Sequence, residues 1–113
     1  MPSPPEILAL VVDAVLVVDR HGRLLFCNDS ALPLLGYLRD ELIGSHMIEH
    51  VHPDDRGRTL SAVWRVMSSD GAVQIFENRW RHKDGHDVPI LWSSRWSEHH
   101  QVRISVGRSQ EAV

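Results

Sequence analysis

The chain has 113 residues, 42% hydrophobic and 24% charged, with a net charge of −3 when histidine is neutral. This is enough for one domain with one ordinary core, without the positive charge that draws a protein to nucleic acid or an anionic membrane. The only cysteine, Cys27, excludes an internal disulfide and a thiolate metal cluster and fits a reducing compartment.

Ser3-Pro4-Pro5-Glu6 reads as a helix start, with Ser3 as cap, Pro4 at the first helical position and Glu6 closing a capping box. Residues 7–12 then form one or two amphipathic turns. Their apolar side chains Ile7, Leu8, Leu10 and Val11 are the expected dimer interface, with a second copy as partner. The apolar stretch 7–18 is interrupted by Asp13 and too short to span a bilayer. No Lys or Arg precedes it and no small-residue cleavage site follows, so a cytoplasmic chain is expected.

Residues 14–19 are apolar and β-branched, hence a strand, and 24–27 form its hairpin partner across a turn at Gly22. Asp29 or Ser30 is expected to cap a short helix holding Leu32, Leu34 and Leu35, with Pro33 in its first turn and Gly36 at its end. A second short helix, 38–43, stops at Gly44, and 47–51 make another turn. His52-Pro53 breaks the chain and opens the longest helix, with Asp54 and Asp55 at its positive end. Leu60, Val63, Trp64 and Met67 fall on one expected apolar stripe. Beyond Ala72 the period becomes two. Phe76, Asn78 and Trp80 share a face, then Val88, Ile90, Trp92, Ser94 and Trp96, then Val102, Ile104 and Val106. Hairpin turns are expected at 83–86 and 98–101. The fold class is α+β: two strands, three or four helices and three strands, giving a five-stranded antiparallel sheet with helices on one face.

Several segments resemble the PAS domain, a small sensory module: Val-Val-Asp-Arg-His-Gly-Arg at 17–23, Asn28, Leu35-Gly36-Tyr37, Asp40-Glu41-Leu42-Ile43-Gly44, His52-Pro53-Asp54-Asp55-Arg56 and Arg81-His82-Lys83-Asp84-Gly85. Each is weak alone; together, in this order and at this spacing, they are strong. The resemblance implies residues 1–12 as an N-terminal cap helix and dimerisation segment, 13–108 as the PAS domain and 109–113 as a tail. It implies a ligand cavity between helices and sheet, a homodimer, and regulation of an attached histidine kinase, cyclic-dinucleotide enzyme or transcription factor. Leu38 departs from the pattern, since Ser or Thr often stands there, and its loss removes a capping box and exposes a leucine. Pro89 lies inside a strand pattern and suggests an edge or a bulge. An Asp-Val-Thr-like junction after the last strand is missing, Gly107-Arg108 being followed by Ser109.

Eight histidines raise the question of metal or haem. His46 and His50 have ligand-like spacing, with His52, Asp54 and Asp55 nearby, but His52 is better read as a helix boundary and His99-His100 as an exposed turn, so no metal is expected. The long helix carries no His to hold haem, and the Cys-containing motif of flavin photochemistry is missing. The chain is therefore expected to carry no cofactor, haem and a non-covalent flavin being the alternatives. Adjacent Asp54 and Asp55 point apart on a helix and make no acid/base pair. No phosphate loop, nucleophile elbow or His-Glu-x-x-His occurs, so no enzyme is expected. The expected function is a sensory module with an interior pocket drawn from Leu60, Trp64, Met67, Phe76, Asn78, Trp80, Ile90, Trp92 and Ile104. Asn78 needs a partner if buried. The alternative is a ligand-free dimerisation module.

Overall fold

The computed structural model describes residues 13–111; the expected N-terminal helix and its interface residues Ile7, Leu8, Leu10 and Val11 lie outside them. Strands β1 (Ala14–Asp19) and β2 (Leu24–Cys27) form the first hairpin. Three short helices follow: α1 (Ala31–Leu35), α2 (Arg39–Leu42) and α3 (Met47–His50). A 3-10 turn, Pro53–Asp55, leads into α4 (Arg56–Met67). Strands β3 (Gln74–Arg81), β4 (Asp87–Ser97) and β5 (Val102–Ser109) complete a five-stranded sheet of order β2-β1-β5-β4-β3. Every pairing is antiparallel. No helix among the described residues is long and apolar enough to cross a membrane.

The first helix is capped differently from the expectation. Ser30 occupies the cap position without a side-chain hydrogen bond to the helix. Instead the Asn28 Oδ1 accepts from Ala31 N at 3.2 Å and from Val15 N at 2.9 Å, and Asn28 Nδ2 donates to the Asp13 carbonyl at 2.9 Å. One amide therefore ends β2, starts α1 and ties both to β1. Gly36 closes α1 at φ 80°, and a Cβ there would run into the His82 ring, so two constraints demand glycine. Exposed Leu38 has no oxygen to offer as a cap, but the half of the capping box that needs none survives: Leu38 N donates to Glu41 Oε1 at 2.9 Å.

Both sheet edges are covered by the helical connection. On the β2 edge, Gly44 N donates to Leu24 O at 2.7 Å and Leu24 N to Ser45 O at 2.9 Å. On the β3 edge, His52 N donates to Arg79 O at 2.8 Å, and Val51 bridges Trp80. Asp55 completes that edge, its Oδ2 accepting from Arg79 N at 2.8 Å. Its carboxylate also takes Arg79 Nε at 3.0 Å and Nη2 at 2.8 Å, a bidentate charged pair. Residues 44–55 thus run across the inner face as a strap fastened at both edges, which blunts the template an open edge presents.

Pro89 is neither at an edge nor in a bulge. It sits in β4 opposite Arg79, and the β5 ladder begins one residue later, at Ile90 opposite Ser109. A strand residue's N and O point the same way, and Pro89 O accepts from Gln110 N beyond the end of β5. The missing N–H therefore falls just past the ladder.

The register reverses one assignment. On β5 the buried residues are Arg103, Ser105 and Gly107, while Val102, Ile104 and Val106 face the opposite side and Ile104 is 39% exposed. A one-residue difference in phase exchanges the two faces of a strand. Gly107 lies opposite Trp92, and a Cβ on it would fall 2.5 Å from the indole. The α4 stripe is likewise rotated: Asp55, Thr59, Ala62 and Val66 are buried, whereas Leu60 is 55% and Trp64 70% exposed.

Two outcomes follow for stability. The Arg79 guanidinium holds the Asp55 carboxyl down to about 2, from 3.8. Its contribution is complete above the unfolded carboxyl value and is lost as pH falls from about 4 towards the folded value. Asp55→Asn should cost about 2 kcal/mol in urea melts at neutral pH, and the cost should shrink through that acid window. Gly107→Ala should destabilise by about 1–3 kcal/mol, because the Trp92 indole must leave its rotamer, with the change visible in near-UV circular dichroism.

Candidate functional site

A cavity of about 10 Å³ lies between α3 and the inner face of the sheet, room for about one water. Leu16 and Val18 from β1 and Met47 from α3 form its apolar wall; Phe76, Asn78, Trp80 and Trp92 line it from β3 and β4. Arg103 and Ser105 of β5 complete it. Next to it lies a pocket of about 160 Å³ between the β1–β2 turn, α3 and α4. Arg20, His21, Gly22, His46, Ile48, Leu60 and Val63 line this outer pocket. Met47 and Arg103 line both spaces and so form the partition between them.

Of the residues expected to form the pocket, Phe76, Asn78, Trp80 and Trp92 line the inner cavity. Leu60 lines only the outer pocket. Trp64 is exposed to solvent, Ile104 stands on the outer sheet face, and Ile90 is fully buried beside Gly107; none of these three, nor half-buried Met67, lines either space. Leu60 and Trp64 follow the helix rotation that Asp55 and Thr59 impose, and Ile104 follows the β5 register. Arg103, Ser105, Met47, Leu16 and Val18 were missed. The signal available for the first two was the polar alternate of β5, Arg103-x-Ser105-x-Gly107, opposite Ser94 and Trp92.

Asn78 is buried and fully engaged. Its Nδ2 donates to Thr59 Oγ1 at 3.2 Å, and its Oδ1 accepts from Trp92 Nε1 at 2.7 Å. This chain joins α4, β3 and β4 across the cavity floor. Ser94 and Ser105 hydroxyls pair at 2.7 Å. Above Trp80 lies His50, stacked at 5.4 Å with 10° between the planes, with Tyr37 edge-on behind it. The Ser45 hydroxyl donates to Leu42 O at 2.6 Å, so the His50 Nε2 at 2.8 Å is the donor to its oxygen. Burial lowers the His50 pKa, which keeps the ring neutral against the indole at neutral pH.

His46, His50 and His52 are not gathered into a ligand set. His50 serves the aromatic stack, His46 precedes α3, and His52 Nδ1 accepts from Asp54 N at 3.0 Å, as a helix boundary does. The group that the structure does bring together is His82, Asp84 and His86 in the β3–β4 turn, with ligand atoms within 4.8 Å of one another. These three are engaged with one another, Asp84 Oδ1 meeting His82 Nδ1 at 3.2 Å and His86 Nδ1 at 2.5 Å.

The family of the PAS fold matches residues 24–107, well over half of the chain. The aryl hydrocarbon receptor nuclear translocator homolog of Drosophila melanogaster is 43% identical over 87 residues, covering 76% of this chain, which spans only 14% of that protein's length. The PAS domain of a protein from Colwellia psychrerythraea superposes with a TM-score of 0.81 at 26% identity, over 92% of this chain and 91% of that one. The RpfR quorum-sensing receptor PAS domain of Cronobacter turicensis, solved in complex with BDSF, superposes with a TM-score of 0.75 over 89% and 96% of the two chains. At 18% identity that is a likeness of fold alone. With the sheet order, the strapped edges and the inner-face cavity already in place, these matches assign the chain to the PAS family of sensory domains.

Proposed function

We propose that this chain is a sensory module that binds a small molecule on the inner face of its sheet and passes the change to an effector through its sheet and termini. One observation carries the reading. Asn78, Ser94, Arg103 and Ser105 are all buried on the inner sheet face, where a domain kept only for packing would bury apolar groups. The effector is proposed to be a histidine kinase of a two-component system, a cyclic-dinucleotide enzyme or a transcription factor, and the location cytoplasmic. The module itself has no catalytic role in this reading, since Asp55 is held by Arg79 and the cavity offers no nucleophile paired with a base. No resident haem, flavin or metal is proposed. A ring system of that size would have to displace Trp80, Trp92 or Met47 from a space of about 10 Å³.

The four tryptophans supply a direct test. Titration of the labelled protein with a small-molecule library, followed by indole N–H resonances, should shift Trp80 and Trp92 and leave exposed Trp64 in place. A native mass spectrum should show the same ligands as reproducible added mass. Hits that move Trp64 but neither Trp80 nor Trp92 would place binding elsewhere and count against the interior pocket.

A second reading is supported by the outer sheet face. Phe26 and Ile104 are exposed there, and Ile75 is 65% exposed. In this reading the module acts as a homodimer through Ile7, Leu8, Leu10 and Val11 together with that face. Light scattering should then give a dimer for the full chain and a monomer after deletion of residues 1–12 or for Ile104→Asp. A monomeric full chain at high concentration contradicts it.

A further inference from the structure

Two buried side-chain polar atoms among the described residues have no hydrogen-bond partner, Trp80 Nε1 and Arg103 Nε. Both are N–H donors, and both residues line the same inner cavity. What the cavity lacks is therefore an acceptor. Every other polar side chain on its wall is satisfied internally, Asn78 by Thr59 and Trp92, Ser105 by Ser94.

Arg103 adds a charge to this requirement. It is 3% exposed, and no carboxylate among the described residues faces it, burial being the sole influence on its pKa, which is lowered to about 10. It stays a cation at neutral pH. Buried guanidinium groups are ordinarily paired, because desolvating an unpaired one is costly. An unpaired cation at the partition of two cavities points to an anion from outside the chain. The outer pocket suits such a molecule. Arg20, His21 and His46 line it and no acidic residue does, while Leu60, Val63 and Ile48 give it an apolar wall. The remaining barrier is Met47, whose unbranched side chain shares the partition with Arg103 and repacks readily.

We propose that Arg103 anchors the carboxylate of a small organic acid, whose apolar part occupies the outer pocket against Leu60 and Val63 and whose second oxygen accepts the Trp80 indole N–H. Met47 turns aside as the acid enters. This rests on the interior-pocket reading above and names the chemical class that the pocket takes.

The test uses the full chain and straight-chain carboxylates from acetate to octanoate, each beside the alcohol of equal length, at one ionic strength. Affinity is measured by calorimetry and the Trp80 indole resonance is followed in parallel. Some member of the acid series should bind more tightly than its alcohol by about tenfold or more and shift the Trp80 signal. Arg103→Gln should reduce that acid to the affinity of the alcohol. Arg103→Met removes the unpaired cation, so it should resist urea better than the native chain while losing the preference for acids. Equal binding of acids and alcohols overturns the anionic anchor and leaves the pocket standing, with a water as the missing acceptor. Arg103→Met less stable than the native chain also overturns it, by showing that the guanidinium has a partner within the protein. If neither series binds or moves Trp80, the organic-acid anchor fails, and the interior pocket is then decided by the library titration above.

Discussion

The buried Asp55 carboxylate is the constraint on which the arrangement depends. Three N–H groups of Arg79 converge on it, one from the backbone and two from the guanidinium. A carboxylate this buried is tolerable only when so fully paired, so its position at the start of α4 is fixed against the outer edge of β3. Rotation of α4 about its axis follows. With Asp55 turned to the strand, Thr59 one turn on meets Asn78, and Ala62 and Val66 face the sheet. Asn78 in turn orients the Trp92 indole. One ion pair at the β3 edge thereby sets a side chain on the cavity floor in the next strand.

The same segment that closes both sheet edges carries Met47 and His50 over the cavity. Its backbone is hydrogen-bonded to Leu24 at one edge and to Arg79 at the other. Displacing Met47 therefore strains a strap anchored at both ends, and the sheet between those ends is what the strap can deform. Gly107 couples β5 to the cavity wall from the opposite direction, since its missing side chain is the space that Trp92 fills. Cavity, strap and sheet are in direct contact, since Met47 of the strap and residues of four strands share the cavity wall.

Most of the architecture was legible along the chain. Turn glycines, the His52-Pro53 boundary and the alternation of β3 and β4 are local signals, and each acts within a few residues of where it is read. Phe76, Asn78, Trp80 and Trp92 face the inner cavity because alternation on a strand is rigid once its phase is known. The failures share a cause. On α4 an apolar stripe at 60, 63, 64 and 67 competed with the polar pair Asp55 and Thr59, and the polar pair decided the rotation because its partners, Arg79 and Asn78, are about twenty residues away in sequence. On β5 both alternates were admissible, and the more apolar one was assigned inward. The first helix cap shows a related effect: Ser30 holds the cap position, but the side-chain bond to the helix start comes from the Asn28 amide, which serves β1 and α1 at once.

By itself, the order of residues determined the class of fold, the number and kind of elements and the family, since these depend on spacing, punctuation and periodicity. The tertiary structure alone decided which face of β5 and which side of α4 turn inward. That choice brings Arg103 to the cavity wall. A desolvated guanidinium without a carboxylate is a property of what surrounds it after folding, and no local pattern encodes it. The burial that makes Arg103 informative exists only when β5 lies between β1 and β4 with α3 above it.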